Sequence, residues 1–162
     1  MVTREGPDGL ERKYTAIYSA PVYRGIATGY AAGCCLRCIY CWSNWSRDFP
    51  EKFGSFYSPQ GMAQKLFEAA KEGIKAPGWE RFRDLKVNKL RVSGWEPTLG
   101  KEHLLRLLEY VEKSEYPFYL ETNFQSYYSS FQTVDIDDVK VEKKPFQSYY
   151  SSFQTYLQEP LK

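Results

Sequence analysis

The chain has 162 residues, 43% of them hydrophobic, with 22 basic and 20 acidic side chains and a formal net charge of +2. That length supports one domain with a core of its own, and the apolar content argues against a wholly disordered chain. So small a net charge neither requires nor forbids a nucleic-acid partner. No run approaches the roughly 18 apolar residues of a membrane span, so no membrane partner is expected. The N-terminal residues are polar and lack an apolar signal core, which predicts a cytoplasmic protein.

In chain order, residues 1–12 read as a polar lead-in. Residues 13–28 hold short extended runs broken by Pro21 and Gly25, with a strand ending near Thr28. Residues 29–57 read as a long loop that carries every cysteine and an aromatic stretch (Trp42, Trp45, Phe49, Phe53, Phe56, Tyr57); loops of this length are usually functional. Ser58-Pro59 then opens a helix, with Ser58 as N-cap and Pro59 at the first helical position. Met62, Leu66, Ala69, Ala70 and Ile74 follow at helical spacing, and Ala76-Pro77-Gly78 ends the pattern. Residues 79–85 add a helical turn. Residues 87–92 alternate as a strand, and 93–100 form a turn-rich loop. A second helix over 101–114 places Leu104, Leu107, Leu108 and Val111 on one face, and 117–121 reads as a strand.

Strand, helix, strand, helix, strand predicts parallel βα units with right-handed crossovers. The loops after the three strands then share the C-terminal edge of the sheet, where such folds place their chemistry. Beyond Asn123 the character changes. Phe-Gln-Ser-Tyr-Tyr-Ser-Ser-Phe-Gln-Thr occurs at 124–133 and again, identically, at 146–155. Residues 124–162 therefore read as an atypical tail with a duplicated decamer, distinct from a core over 13–123.

Cys34, Cys35, Cys38 and Cys41 are the only cysteines. Disulfides among them would close loops of a few residues under strain, so reduced thiols and a metal or cluster fit better. Three thiolates on one short loop can hold three corners of a cubane cluster and leave one iron open. A structural zinc site wants a fourth ligand, for which Cys35 is an awkward neighbour, and His103 stands far off on a helix where packing is its expected role. A redox pair of Cys38 and Cys41 is a further reading.

Cys34-x3-Cys38-x-Tyr40-Cys41 resembles the signature of the radical S-adenosylmethionine (SAM) superfamily. Ser93-Gly94-Trp95-Glu96-Pro97-Thr98-Leu99 is similar to that family's Gly-Gly-Glu-Pro loop, with Trp95 where the family usually has a second glycine. Leu120-Glu121-Thr122-Asn123 is similar to a third family segment; the resemblance runs from about Tyr23 to Asn123, most like uncharacterised archaeal-type members. It implies an α/β fold, a partial (β/α) barrel of radical SAM type with parallel strands, here incomplete. It implies a [4Fe–4S] cluster on Cys34, Cys38 and Cys41 and reductive cleavage of SAM to a 5′-deoxyadenosyl radical. Tyr40 would lie against the adenine, Gly94, Trp95 and Glu96 would contact the methionine moiety, and Thr122 and Asn123 would face the same site. An electron donor of ferredoxin or flavodoxin type is implied, and the substrate is left open. The alternatives are a small glycyl-radical activase, an inactive fragment of such an enzyme, and a non-catalytic iron–sulfur or zinc protein. Lys86, Lys89, Arg91, Arg81 and Arg83 read as a solvated basic face, with RNA as the competing use.

Overall fold

The computed structural model describes residues 1–7, 9–39, 41 and 44–122. Tyr40, Trp42, Asn123 and both decamers lie outside the described residues. The sheet has strands β1 (Thr3–Gly6), β2 (Gly9–Ala20), β3 (Ile26–Ala31), β4 (Ser55–Tyr57), β5 (Leu90–Gly94) and β6 (Phe118–Leu120). The helices are α1 (Asn44–Asp48), α2 (Pro59–Glu72) and α3 (Lys101–Glu112). The sheet order is β1-β2-β3-β5-β6, with β4 also paired to β2. The β1, β3 and β4 pairings of β2 are antiparallel, whereas β3–β5 and β5–β6 are parallel. The result is a mixed α/β fold with a curled, half-barrel sheet.

Parallel neighbours need a long crossover. Here β3 reaches β5 through a segment that contains α2, and β5 reaches β6 through α3. Ser58 caps α2 by accepting a hydrogen bond from Gly61 N at 3.1 Å, Pro59 occupies the first turn, and Gly73 ends the helix at φ 73°. Met62, Ala63, Leu66 and Ala70 face inward from α2, as do His103, Leu104, Leu107 and Val111 from α3. They meet Ala27, Ala31, Leu90 and Val92 on one face of the sheet. Gly29 belongs to that face too: a Cβ there would run into Met62 Cε.

The first dozen residues are not a lead-in. They build the β1–β2 hairpin, pinned by an Arg4–Glu11 ion pair of 2.6 Å. The charges at 12 and 13 mislead because Arg12 and Lys13 are buried against carbonyls rather than solvated. Lys13 Nζ donates to Pro50 O and Glu51 O at 2.7 and 2.9 Å. The extended runs broken at Pro21 and Gly25 are β2 and β3, joined by a 3₁₀ turn at Val22–Arg24 in which Tyr23 and Arg24 are left-handed, and β3 runs on past Thr28 to Ala31. The long loop is shorter than expected because Ser55–Tyr57 pairs with β2. The second parallel strand starts later and takes in Ser93 and Gly94.

His103 is a packing residue, fully buried, with its ring 5.7 Å from that of Tyr14 and Nε2 3.0 Å from Tyr57 O. Burial, with a smaller push from the nearby Arg12 cation, brings its pKa down to about 4. The unfolded chain therefore takes up this proton first, near pH 6.5. The neutral ring's stability is complete above that pH and is lost as pH falls toward 4. The ring's contribution to the thermal midpoint should be constant above about pH 6.5 and decline below it. In His103→Gln the part of that decline due to the ring should vanish.

Leu66 and Leu107 are fully buried between the sheet and the helices. Leu66→Ala should lower unfolding free energy by about 2–5 kcal/mol in urea titration.

Candidate functional site

Three segments leave the parallel strands at one edge: 31–41 after β3, 94–100 after β5 and 121–122 after β6. The first two are laced together by backbone. Trp95 N donates to Ala31 O at 3.3 Å and Glu96 N to Gly33 O at 3.0 Å. Gly94 makes the approach possible. It sits at φ 103°, and a Cβ there would lie 2.7 Å from Ala31 O. The residue with no room for a side chain is thus Gly94. Position 95 accommodates Trp95, whose ring stands edge-on to Tyr30 at 6.3 Å.

Glu96 is fully buried. Its Oε1 accepts from Thr98 N at 3.0 Å, Thr98 Oγ1 at 2.5 Å and Thr122 Oγ1 at 2.6 Å. The carboxylate therefore ties the second loop to the end of the third strand. Of the residues read as SAM contacts, Gly94, Trp95, Glu96 and Thr122 come together here, and Tyr40 and Asn123 lie outside the described residues.

Cys34, Cys38 and Cys41 are half-buried and Cys35 is exposed. Leu36 N points at Cys34 Sγ at 3.4 Å, and Cys41 N donates to Cys38 O at 3.1 Å. Burial raises the Cys34 thiol pKa, the Leu36 amide offsets part of this, and Cys35, Glu96 and Cys38 add to the rise. A bound cation would reverse that balance, because thiolate is the ligating form. Among the described residues no three His, Cys, Asp or Glu side chains are gathered as a metal site. The donor set of three reduced thiols on one loop suits a cluster, and the thiols are not preassembled around one point. His103 Nε2 is engaged with Tyr57 O.

On the sheet face opposite the helices lies a polar network absent from the sequence reading. Arg91 Nη1 pairs with Glu121 Oε1 at 2.7 Å and Arg91 Nε donates to Thr28 Oγ1 at 3.1 Å. Ser93 Oγ and Tyr23 OH also donate to Glu121, at 2.5 and 3.1 Å. Arg91 is therefore buried and paired, not part of a solvated basic face; Arg81, Arg83 and Lys86 remain exposed. Tyr18 and Tyr30 stack beside this network at 5.7 Å, and burial followed by the hydrogen bond to Tyr30 raises the Tyr18 phenol pKa. The in-register pairs Thr28–Arg91 and Tyr30–Ser93 were the available signal: polar residues alternating with Leu90 and Val92.

Thr122→Val should destabilise the fold by about 1.5–3 kcal/mol, as expected on losing a hydroxyl bonded to a carboxylate. Urea titration of the variant checks this. Thr122→Ser should keep most of the stability.

No helix among the described residues is long and apolar enough to cross a membrane. No protein-family model matches the chain, and no curated protein matches it.

Proposed function

We propose that the chain is a radical SAM protein whose Cys34, Cys38 and Cys41 hold a [4Fe–4S] cluster. The observation that carries this reading is the lacing of the cysteine segment to the 94–96 segment at the C-terminal edge of parallel strands. Two segments that resemble one family's cofactor loops, far apart in sequence, are neighbours in space. When bound, such a cluster would supply the electron that cleaves SAM to a 5′-deoxyadenosyl radical.

The chain's own residues have separable tasks in this reading. Cys34, Cys38 and Cys41 ligate three irons, and Cys35, exposed, is spare. Gly94 brings its backbone close to the first loop without a side chain in the way. Glu96 holds the second loop in shape through Thr98 and Thr122. That would make its carboxylate an organiser of the SAM site, while Gly94 and Trp95 would contact the methionine moiety. Arg91, Glu121, Tyr18 and Tyr30 line the inner face of the sheet, where a substrate would be held. A low-potential ferredoxin or flavodoxin is the matching electron donor, and the cytoplasm the matching compartment for reduced thiols.

Anaerobic reconstitution should yield about four irons and four sulfides per chain. Cys34→Ser, Cys38→Ser and Cys41→Ser should each lose most of that iron, and Cys35→Ser should keep it. Stoichiometric zinc without sulfide, or equal loss of iron in Cys35→Ser, would overturn the assignment.

A further inference from the structure

Arg12 lies in the first half of β2, outside every segment that carries the family resemblance, and is 1% exposed. Its guanidinium reaches three backbone carbonyls from three distant stretches of chain. Nη1 donates to Val2 O at 3.1 Å, and Nη2 donates to Ala32 O at 2.7 Å and to Glu96 O at 3.1 Å.

The carbonyls at 31, 32 and 33 explain why a cation is needed there. Ala31 O and Gly33 O accept from Trp95 N and Glu96 N. Ala32 lies between them and turns to β2 instead, its N donating to Lys13 O at 2.9 Å and its O accepting from Arg12. A buried carbonyl left without a donor is costly. Arg12 supplies the donor, and with the same nitrogen takes Glu96 O from the second loop.

Arg12 also has a prepared seat. A Cβ on Gly100 would lie 2.8 Å from Arg12 Nε and clash with Cδ, so glycine at 100 leaves the space that the side chain occupies. Nε itself is buried and has no partner among the described residues. Burial brings the guanidinium pKa down to about 10, partly offset by Tyr14 and the Glu96 carboxylate, so it stays cationic at neutral pH. Burying a charge is expensive, and a well-packed apolar residue commonly stabilises as much or more. Stability alone does not account for a cation whose donors converge on the two candidate cofactor loops.

We propose that Arg12 is a positioning residue: by holding Ala32 O and Glu96 O on one nitrogen, it fixes the cysteine loop against the loop of Gly94, Trp95 and Glu96. The coupling follows from the geometry alone. Its functional consequence, that cluster ligands and SAM contacts keep a fixed separation, rests on the radical SAM reading. A lysine at 12 keeps the charge but has one nitrogen in place of a planar fork, so it cannot hold all three carbonyls in the same geometry.

The test is amide hydrogen exchange on the full chain, comparing wild type with Arg12→Lys, Arg12→Met and Gly100→Ala. Gly100→Ala displaces the side chain without removing its charge. Peptides covering 31–38 and 93–99 should lose protection together, by roughly tenfold or more in Arg12→Met and less in Arg12→Lys, as expected on losing hydrogen bonds to a charged donor. Peptides from α2 should keep their wild-type rates, which separates local coupling from global loosening. If Arg12→Met fails to fold, the lysine and Gly100→Ala variants decide. Wild-type exchange in both loops, a change in only one of them, or equal loss in α2 would overturn the proposal. On reconstituted protein, Arg12→Lys should keep its iron but show a weakened SAM-induced change in the reduced cluster's electron paramagnetic resonance spectrum. An unchanged SAM response there would remove the functional consequence. Wild type that binds no cluster would refute the radical SAM reading and leave the exchange result standing.

Discussion

Parallel pairing of β3 with β5 and of β5 with β6 is the constraint from which the site follows. Strands that run the same way end at the same edge, and each must be followed by a crossover before the next begins. The segments leaving that edge lose their ladder partners there, and their backbone groups must find others. They find each other. Trp95 N and Glu96 N take Ala31 O and Gly33 O, and Glu121 N takes Val92 O. The pairing of the sheet is thereby extended into the loops, and residues separated by some sixty positions in sequence become neighbours.

Charge is then placed inside this edge rather than kept off it. Arg12 and Glu96 are buried behind the loops, and Arg91 is buried beneath the inner face with Glu121 half-buried beside it. Each is tied to named groups: Arg12 to three carbonyls, Glu96 to two threonines, Glu121 to Arg91, Ser93 and Tyr23. Such networks add little net stability compared with apolar packing, and an unpaired member would be strongly destabilising. What they contribute is definition. Glu96 reaches from the second loop to the third strand end and Arg12 from the first loop to the second, so all three strand ends share one set of polar contacts.

Much of this was legible in the sequence, for identifiable reasons. The Ser58-Pro59 start of α2 and the spacing of Leu104, Leu107 and Val111 in α3 are local signals, and local hydrogen bonding and packing honour them. The alternation of strands and helices was enough to put the cysteine, Glu96 and Thr122 segments on one edge. The β1–β2 hairpin was not legible because Glu11, Arg12 and Lys13 look like a solvated charge run. Arg12 and Lys13 find their carbonyl partners through the folded sheet: Ala32 and Glu96 for one, Pro50 and Glu51 for the other. Arg91 was grouped with a basic face for the same reason; its partner Glu121 is 30 residues away and is reached only through the β5–β6 pairing. Position 95 shows the limit of motif comparison. The family's glycine pair suggests that both positions need freedom, yet here only Gly94 has the positive φ and the close backbone approach.

The central claim is that this edge binds a cluster and SAM together. Reductive cleavage of SAM by the anaerobically reconstituted full chain tests it most directly, with 5′-deoxyadenosine and methionine measured after addition of a strong one-electron reductant. The account predicts both products from wild type and neither from Cys38→Ser. An intact, reducible [4Fe–4S] cluster that yields no 5′-deoxyadenosine and whose spectrum is unchanged by SAM would contradict it.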